Sequence, residues 1–204
     1  SDGSLHAIGR NDNGQLGDGT TTNRTSPVQI LSSGVTQIAA GFSHSLFLKS
    51  DGSLHAMGWN NSGQLGDGTS WTDRTSPVQI LASGVTQIAA GSTHSLFLKS
   101  DGSLHAMGWN PQGQLGDGTT TNRSSPVQVL SSGVTQIAAG GYHNLFLKSD
   151  GSLHGMGRNS QGQLGDGTRT HRHSPVQILS SGVTQIAAGH NHSLFLKSDG
   201  SLHA

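Results

Sequence analysis

The groups able to do chemistry in this chain are few in kind. Its 204 residues hold 12 His, 11 acids and no Cys, and every acid is Asp. Five His follow Ser-Leu (His6, His55, His105, His154, His203) and four close a Gly-x-x-His motif (His44, His94, His143, His192). Only His171, His173 and His190 stand outside these sets. Equivalent imidazoles gathered in rings could hold a metal. The competing role is a staple, each ring bonding a neighbouring group, and a residue present in every unit answers a need of every unit. No metal is therefore expected. Asp is similarly tied: five lie in Ser-Asp-Gly and four in Gly-Asp-Gly, where a carboxylate bonds its own turn. Asp12 and Asp73 remain, and acid–base work would require that they meet with their pKa values pushed apart. The string GQLGDGT lacks both the nine-residue tandem recurrence of a calcium motif and the Gly-Lys-Ser/Thr of a phosphate loop. No Gly-x-Ser-x-Gly elbow leads from a strand to a helix. The expectation is a chain without catalytic residues or cofactor, and not an enzyme.

The chemistry repeats because the chain repeats. SDGSLH begins at Ser1, Ser50, Ser100, Ser149 and Ser198. The units are 1–49, 50–99, 100–148 and 149–197, with a partial fifth start at 198–204, in a single repeat domain. Charged residues make up 11% and the net charge is +0, which argues against nucleic acid or an anionic membrane as partner. No apolar run approaches the ~20 residues of a membrane span, so no membrane insertion is expected.

Each unit reads as four short strands: Val35–Ala40, His44–Lys49, Ser53–Met57 and Pro77–Leu81. Asp51-Gly52 suits a two-residue type I′ hairpin turn. Pro77 at a strand start suggests an outer edge, where its missing N–H costs least. Leu46 and Leu48 face one way and Phe47 the other, so both faces of the sheet are apolar, as in a blade held between two neighbours. Four strands in about 49 residues is the pattern of a propeller blade. The fold class expected is all-β, a β-propeller of four-stranded antiparallel blades, four per chain.

The unit A-x-G-W-N-x-x-G-Q-L-G-D-G-T, then S-P-V, then V-x-x-I-A-A-G-x-x-H-S-L-F-L, resembles the regulator of chromosome condensation repeat. The likeness covers all four units. It implies a β-propeller, usually of seven blades, with the strands above running from inner to outer. Blades then fall at 35–81, 85–130 and 134–179. A fourth, 183–204, is completed by 1–31 of the same or a partner chain. Two closures follow: a four-bladed monomer, or two chains that exchange termini and form an eight-bladed ring. The small inner-strand residues Ala39, Ala40 and Gly41 suit the wider ring, so a homodimer is expected. A third arrangement makes 1–204 a section of a longer array. Family relatives include an exchange factor for a small GTPase, a photoreceptor and an inhibitor of β-lactamase. No unit carries an inserted wedge like the first. Phe42, Ser92, Gly141 and His190 stand where the second needs tryptophan.

Differences between the units concentrate in three windows. The first includes Arg10, Asp12, Trp59, Asn61, Trp109, Gln112 and Arg158. The second includes Trp71. The third includes Phe42, Tyr142, His190 and Asn191. Fixed strands with variable loops are the pattern of a binding surface on a rigid frame. Large aromatic, Arg and amide side chains suit recognition. The resemblance implies that the first and third windows share one propeller face. These twelve residues are the candidate binding set. The expected function is a non-catalytic scaffold for a protein partner. The alternatives are a glycan-binding propeller, since Trp59, Trp109, Asn61 and Asp12 suit sugars, or a purely structural, designed or duplicated array.

Overall fold

The computed structural model describes residues 2–204. Seventeen strands are present and no helix among the described residues; no helix is long and apolar enough to cross a membrane. The first sheet contains β1 (Leu5–Gly9) and β2 (Arg24–Leu31). Three four-stranded sheets follow. They are β3 (Val35–Ala40), β4 (His44–Lys49), β5 (Leu54–Gly58) and β6 (Arg74–Leu81); then β7 (Val85–Ala90), β8 (His94–Lys99), β9 (Leu104–Gly108) and β10 (Arg123–Leu130); then β11 (Val134–Ala139), β12 (His143–Lys148), β13 (Leu153–Gly157) and β14 (Arg172–Leu179). The last has β15 (Val183–Ala188), β16 (Ser193–Lys197) and the two-residue β17 (Leu202–His203). Each sheet is an antiparallel meander, and the inner strands β3, β7, β11 and β15 pack in sequence. The result is an open arc of propeller blades.

Two local expectations need correction. The outer strand begins at Arg74, three residues before Pro77, and the register against β5 shifts between Arg74 and Val78. Pro77 therefore sits in a bulge of an edge strand, where no ladder N–H is wanted. The hairpin after β4 is also longer than two residues. Gly52 N–H donates to the Lys49 carbonyl at 2.9 Å, and Lys49 N–H to Ser53 at 3.0 Å. Only Gly52 of this turn has positive φ, +77°. This is a type I turn with a left-handed glycine, and Asp51 keeps negative φ because its carboxylate accepts the Ser53 N–H at 2.9 Å.

Both faces of the blades are buried, as alternation in β4 requires. Leu46 and Leu48 join the core toward the next sheet, with Val85, Phe97 and Ile88. Phe47 turns the other way, onto Leu5 and Met57. The same packing recurs at Leu96, Leu98 and Phe146. At the open ends it is incomplete: Ile8 is 59% and Ile38 70% exposed.

Candidate functional site

Antiparallel pairing places His44 opposite Gly58 and Leu48 opposite Leu54. One end of every blade therefore carries the Ser-Asp-Gly turns. The other carries the Gly-x-x-His approach, the loop after β5 and the start of the outer strand. All three variable windows lie at this second end.

A buried Asn holds the windows together. Asn60 Nδ2 donates to Asp67 Oδ1 at 3.1 Å and to the Thr69 carbonyl at 3.2 Å, while its Oδ1 accepts from Leu65 N–H at 3.1 Å. Its backbone N–H donates to Asp73 Oδ1 at 2.8 Å. Asn11, Asn110 and Asn159 repeat the arrangement, with Asn23, Asn122 and His171 as the acceptors of that backbone N–H. This bond ties the first window to the second. The first is tied to the third by Trp59 N–H to Ser43 O, Trp109 N–H to Thr93 O and Arg158 N–H to Tyr142 O, all 2.8–2.9 Å. The constancy of Asn inside an otherwise variable window is the sequence signal for this hub.

The Gly-Asp-Gly carboxylates do more than close a turn. Asp18 Oδ1 accepts from the Thr20 hydroxyl at 2.7 Å, and Oδ2 accepts from Arg24 Nε at 2.6 Å. The Thr20 hydroxyl and the Arg24 guanidinium hold its pKa down to about 2 against the opposing effect of burial. Asp67, Asp117 and Asp166 make the same pairs with Arg74, Arg123 and Arg172. These four acids are ionised and engaged. Asp12 is likewise paired with Arg10 at 2.7 Å, and Asp73 accepts from Asn60 and Asn13, so the two repeat-specific acids serve different partners.

The Gly-x-x-His rings are blade-to-blade staples. His44 Nε2 lies 2.9 Å from Ser95 Oγ, His94 Nε2 2.8 Å from Asn144 Oδ1 and His143 Nε2 3.0 Å from Ser193 Oγ. Because Asn144 Oδ1 can only accept, His94 carries its proton on Nε2. Burial lowers the His44 pKa to about 3, helped by His94, and those of His94 and His143 to about 4. They are neutral at pH 7. The Ser-Leu-His rings stack on phenylalanine, Phe47 on His55 and Phe97 on His105, with centroids 4.9 Å apart. No group of three or more metal-ligating side chains gathers among the described residues.

The twelve candidate residues separate into groups. Trp109, Gln112, Tyr142 and Arg158 line one cleft of about 420 Å³ with Ser160 and His171, two residues outside the candidate set. Tyr142 lies 5.1 Å from the Trp109 ring and takes the edge of His190 at 5.6 Å. Arg158 Nε donates to Ser160 Oγ at 3.0 Å. Phe42 and His190 sit on the rim of the inner-strand channel, whose wall is Gly and Ala. Phe42 also lines, with Arg10, a cleft of about 530 Å³ at the open edge of β1. Asn191 borders the opposite open edge. Trp59 and Asn61 are half-buried and Asp12 is exposed. Trp71 is 77% exposed and occupies the one-residue insertion that makes the second unit 50 residues long. Its φ of +63° is the one positive value outside glycine among the described residues.

Comparison with known proteins supplies the remaining context. A family model described as RCC1-like domain matches residues 1–204. No curated protein matches. Among solved structures, the chain is similar to human WBSCR16, at 25% identity and a TM-score of 0.85 over 97% of this chain and 54% of that one. It is also similar to Prp20p from Saccharomyces cerevisiae, solved in a study of its binding to Gsp1p and histones (21%, TM-score 0.84, 97% and 53%). A yeast Prp20 bound to Kap60 aligns at 24% identity with a TM-score of 0.81, over 98% of this chain and 51% of that one. The chain spans about half the length of these structures.

Proposed function

The chain belongs to the RCC1-like domain family, and we propose that it is a non-catalytic binding module that meets a protein partner through the variable end of its blades. The observation that carries this reading is the convergence of all three variable windows. Hydrogen bonds from the backbone of the first window join it to the second in each unit and to the third at three places, while the Ser-Asp-Gly turns at the other end stay identical. The clearest contact point is the Trp109–Tyr142–Arg158 cleft, since rigid aromatics and Arg dominate binding energy at protein interfaces. The acids at this end are held in ion pairs and turns, and the buried His are neutral and bonded, which leaves no free acid–base pair. The binding of Gsp1p, histones and Kap60 by the yeast structures supports a protein as the partner class.

Peptide display against the intact protein tests this. Selected binders should lose at least tenfold in affinity with Trp109→Ala plus Tyr142→Ala, with the melting temperature nearly unchanged. Binders that ignore this pair and instead respond to changes at the Ser-Asp-Gly turns defeat the reading. Strong glycan-array hits abolished by Trp109→Ala would replace it with carbohydrate binding.

A further inference from the structure

We propose that two copies of this chain close head to tail into an eight-bladed ring, β1 and β2 of each supplying the outer strands of the other's fourth blade. The open ends carry the two halves of a junction that the chain already makes three times. Gly19 N–H donates to Thr75 O, Gly68 to Ser124 O and Gly118 to His173 O, each at 2.9 Å. The fourth such donor is Gly167, and the acceptor that repeats Thr75 is Thr25, on the exposed β2 at the other end. The His staples follow the same rule. His44, His94 and His143 each reach a residue on the next blade. His192 is exposed, and its counterpart is Ser45 of a second copy. Ile88 packs against Leu46, Leu48 and Ala39 of the preceding blade. Its equivalent Ile38 is 70% exposed and awaits Leu194, Leu196 and Ala187. Glycine reports the gap from the other side. A Cβ on Gly58 would lie 2.6 Å from the Ser43 carbonyl oxygen, whereas one on the equivalent Gly9 meets nothing within 4 Å.

Strand competition favours the exchange. β16 is capped by β17 through two residue pairs, Phe195 with His203 and Leu196 with Leu202. The equivalent β4–β5 ladder has five. β1 carries all five positions on an edge that pairs with nothing but β2. β1 therefore offers β16 a longer ladder than β17 does. A second copy, rather than the chain's own β1, is the donor because of curvature. The arc superposes along 97% of its length on a structure of which it covers 54%. Four blades cover 54% of that chain, so a ring of its curvature takes about seven to eight such blades (4/0.54), and eight is the number that two copies supply. The cleft of about 530 Å³ lined by Leu5, Ile8, Ile38 and Phe42 is the seat of the incoming β15 and β16.

The mass of the 204-residue protein in solution tests this directly. One chain is 21.0 kDa, so the ring weighs twice that, about 42 kDa. A species of 21.0 kDa at micromolar concentration, or one heavier than two chains, overturns the proposal. Ile38→Arg alters a side chain exposed in the single chain. It should halve the mass while circular dichroism stays unchanged; a persistent dimer overturns this interface. Deleting residues 198–204 should leave the dimer intact, and its loss overturns the exchange. Since the chain lacks Cys, Ile8→Cys with Ser193→Cys introduces the only thiols, at positions repeating the Met57–Ser45 pair. Oxidation should give a covalent dimer. A disulfide within one 21.0 kDa chain means self-closure and refutes the two-copy ring. None of these readouts involves another partner, so the ring and the partner-binding reading stand or fall separately.

Discussion

The buried Asn of each loop shows how one side chain can organise a surface. Asn60 donates to Asp67 and Thr69 and accepts from Leu65, with no exposure to water. Asn60→Ala strips these bonds and strands buried partners, which costs about 1–3 kcal/mol for each group left unpaired. A drop of several degrees in melting temperature should follow, and Asn61→Ala next to it should change little. The staple histidines predict a pH dependence. Their folded pKa values lie near 3–4, below the ordinary 6.5, so below pH 6.5 the unfolded chain binds more protons than the folded one. Stability is full above that pH and falls as pH drops from 6.5 toward 4. The loss is on the order of 2 kcal/mol per buried ring at pH 5. His94→Gln keeps an N–H for Asn144 without a titrating group. It should flatten the decline in melting temperature between pH 7 and 5; an unchanged slope would place the acid sensitivity elsewhere. The sequence revealed that these rings repeat, and so their structural purpose. It did not reveal that His94 meets Asn where His44 and His143 meet Ser, because that pairing spans 50 residues and depends on how blades face each other.

At the level of the element, strand positions were legible and turn geometry less so. β3 and β4 begin and end where the β-rich run Val35–Ala40, set between glycines, and the alternating run His44–Lys49 say they should. The Asp-Gly signal marked the right hairpin but the wrong loop length, since Asp51 can satisfy Ser53 N–H from negative φ and needs no left-handed backbone. The outer strand's start at Arg74 is not legible in the sequence, where Pro77 reads as its first residue; the bulge lets the strand run through it. Gly63 and Gly162 allow a controlled test of what a neighbour adds. Both have φ of +79° at the same place in their units. A Cβ on Gly63 collides with the backbone of Ser124, while one on Gly162 meets nothing closer than 4.0 Å. In the single chain held open by Ile38→Arg, alanine at Gly162 should cost only the left-handed strain, about 1 kcal/mol. Alanine at Gly63 should cost clearly more. Equal melting temperatures for the two would show that the loop–strand contact contributes nothing. The candidate site was legible as windows, since the units differ there, but its division into separate clefts was not. Ser160 and His171 join Trp109 through the blade spacing, which no single window displays.

Across the whole molecule, burial rises from the ends toward the middle. β8 and β12 are buried along all but their last residue, while β16 is half-exposed throughout and β17 fully exposed. In a stack where each unit touches only its neighbours, local stability follows that gradient. Amide hydrogen exchange in the single chain should be slowest in β8 and β12 and fastest in β17; uniform protection along the arc would contradict it. The repeat count is legible in the sequence and poses the question of closure. The curvature that bears on it is a property of packed sheets and is written in no one unit.

The junction itself has an evolutionary consequence. The blades that meet within the chain do so through the same few groups: a glycine N–H to an outer-strand carbonyl, an imidazole to a short polar side chain, and an isoleucine onto leucine. A duplication or loss of 49 residues at any point would therefore leave both termini chemically as they were. Unit number becomes a heritable quantity that can change in one genetic step without any compensating substitution. Selection can then act separately on how many windows the molecule displays and on what each window contains.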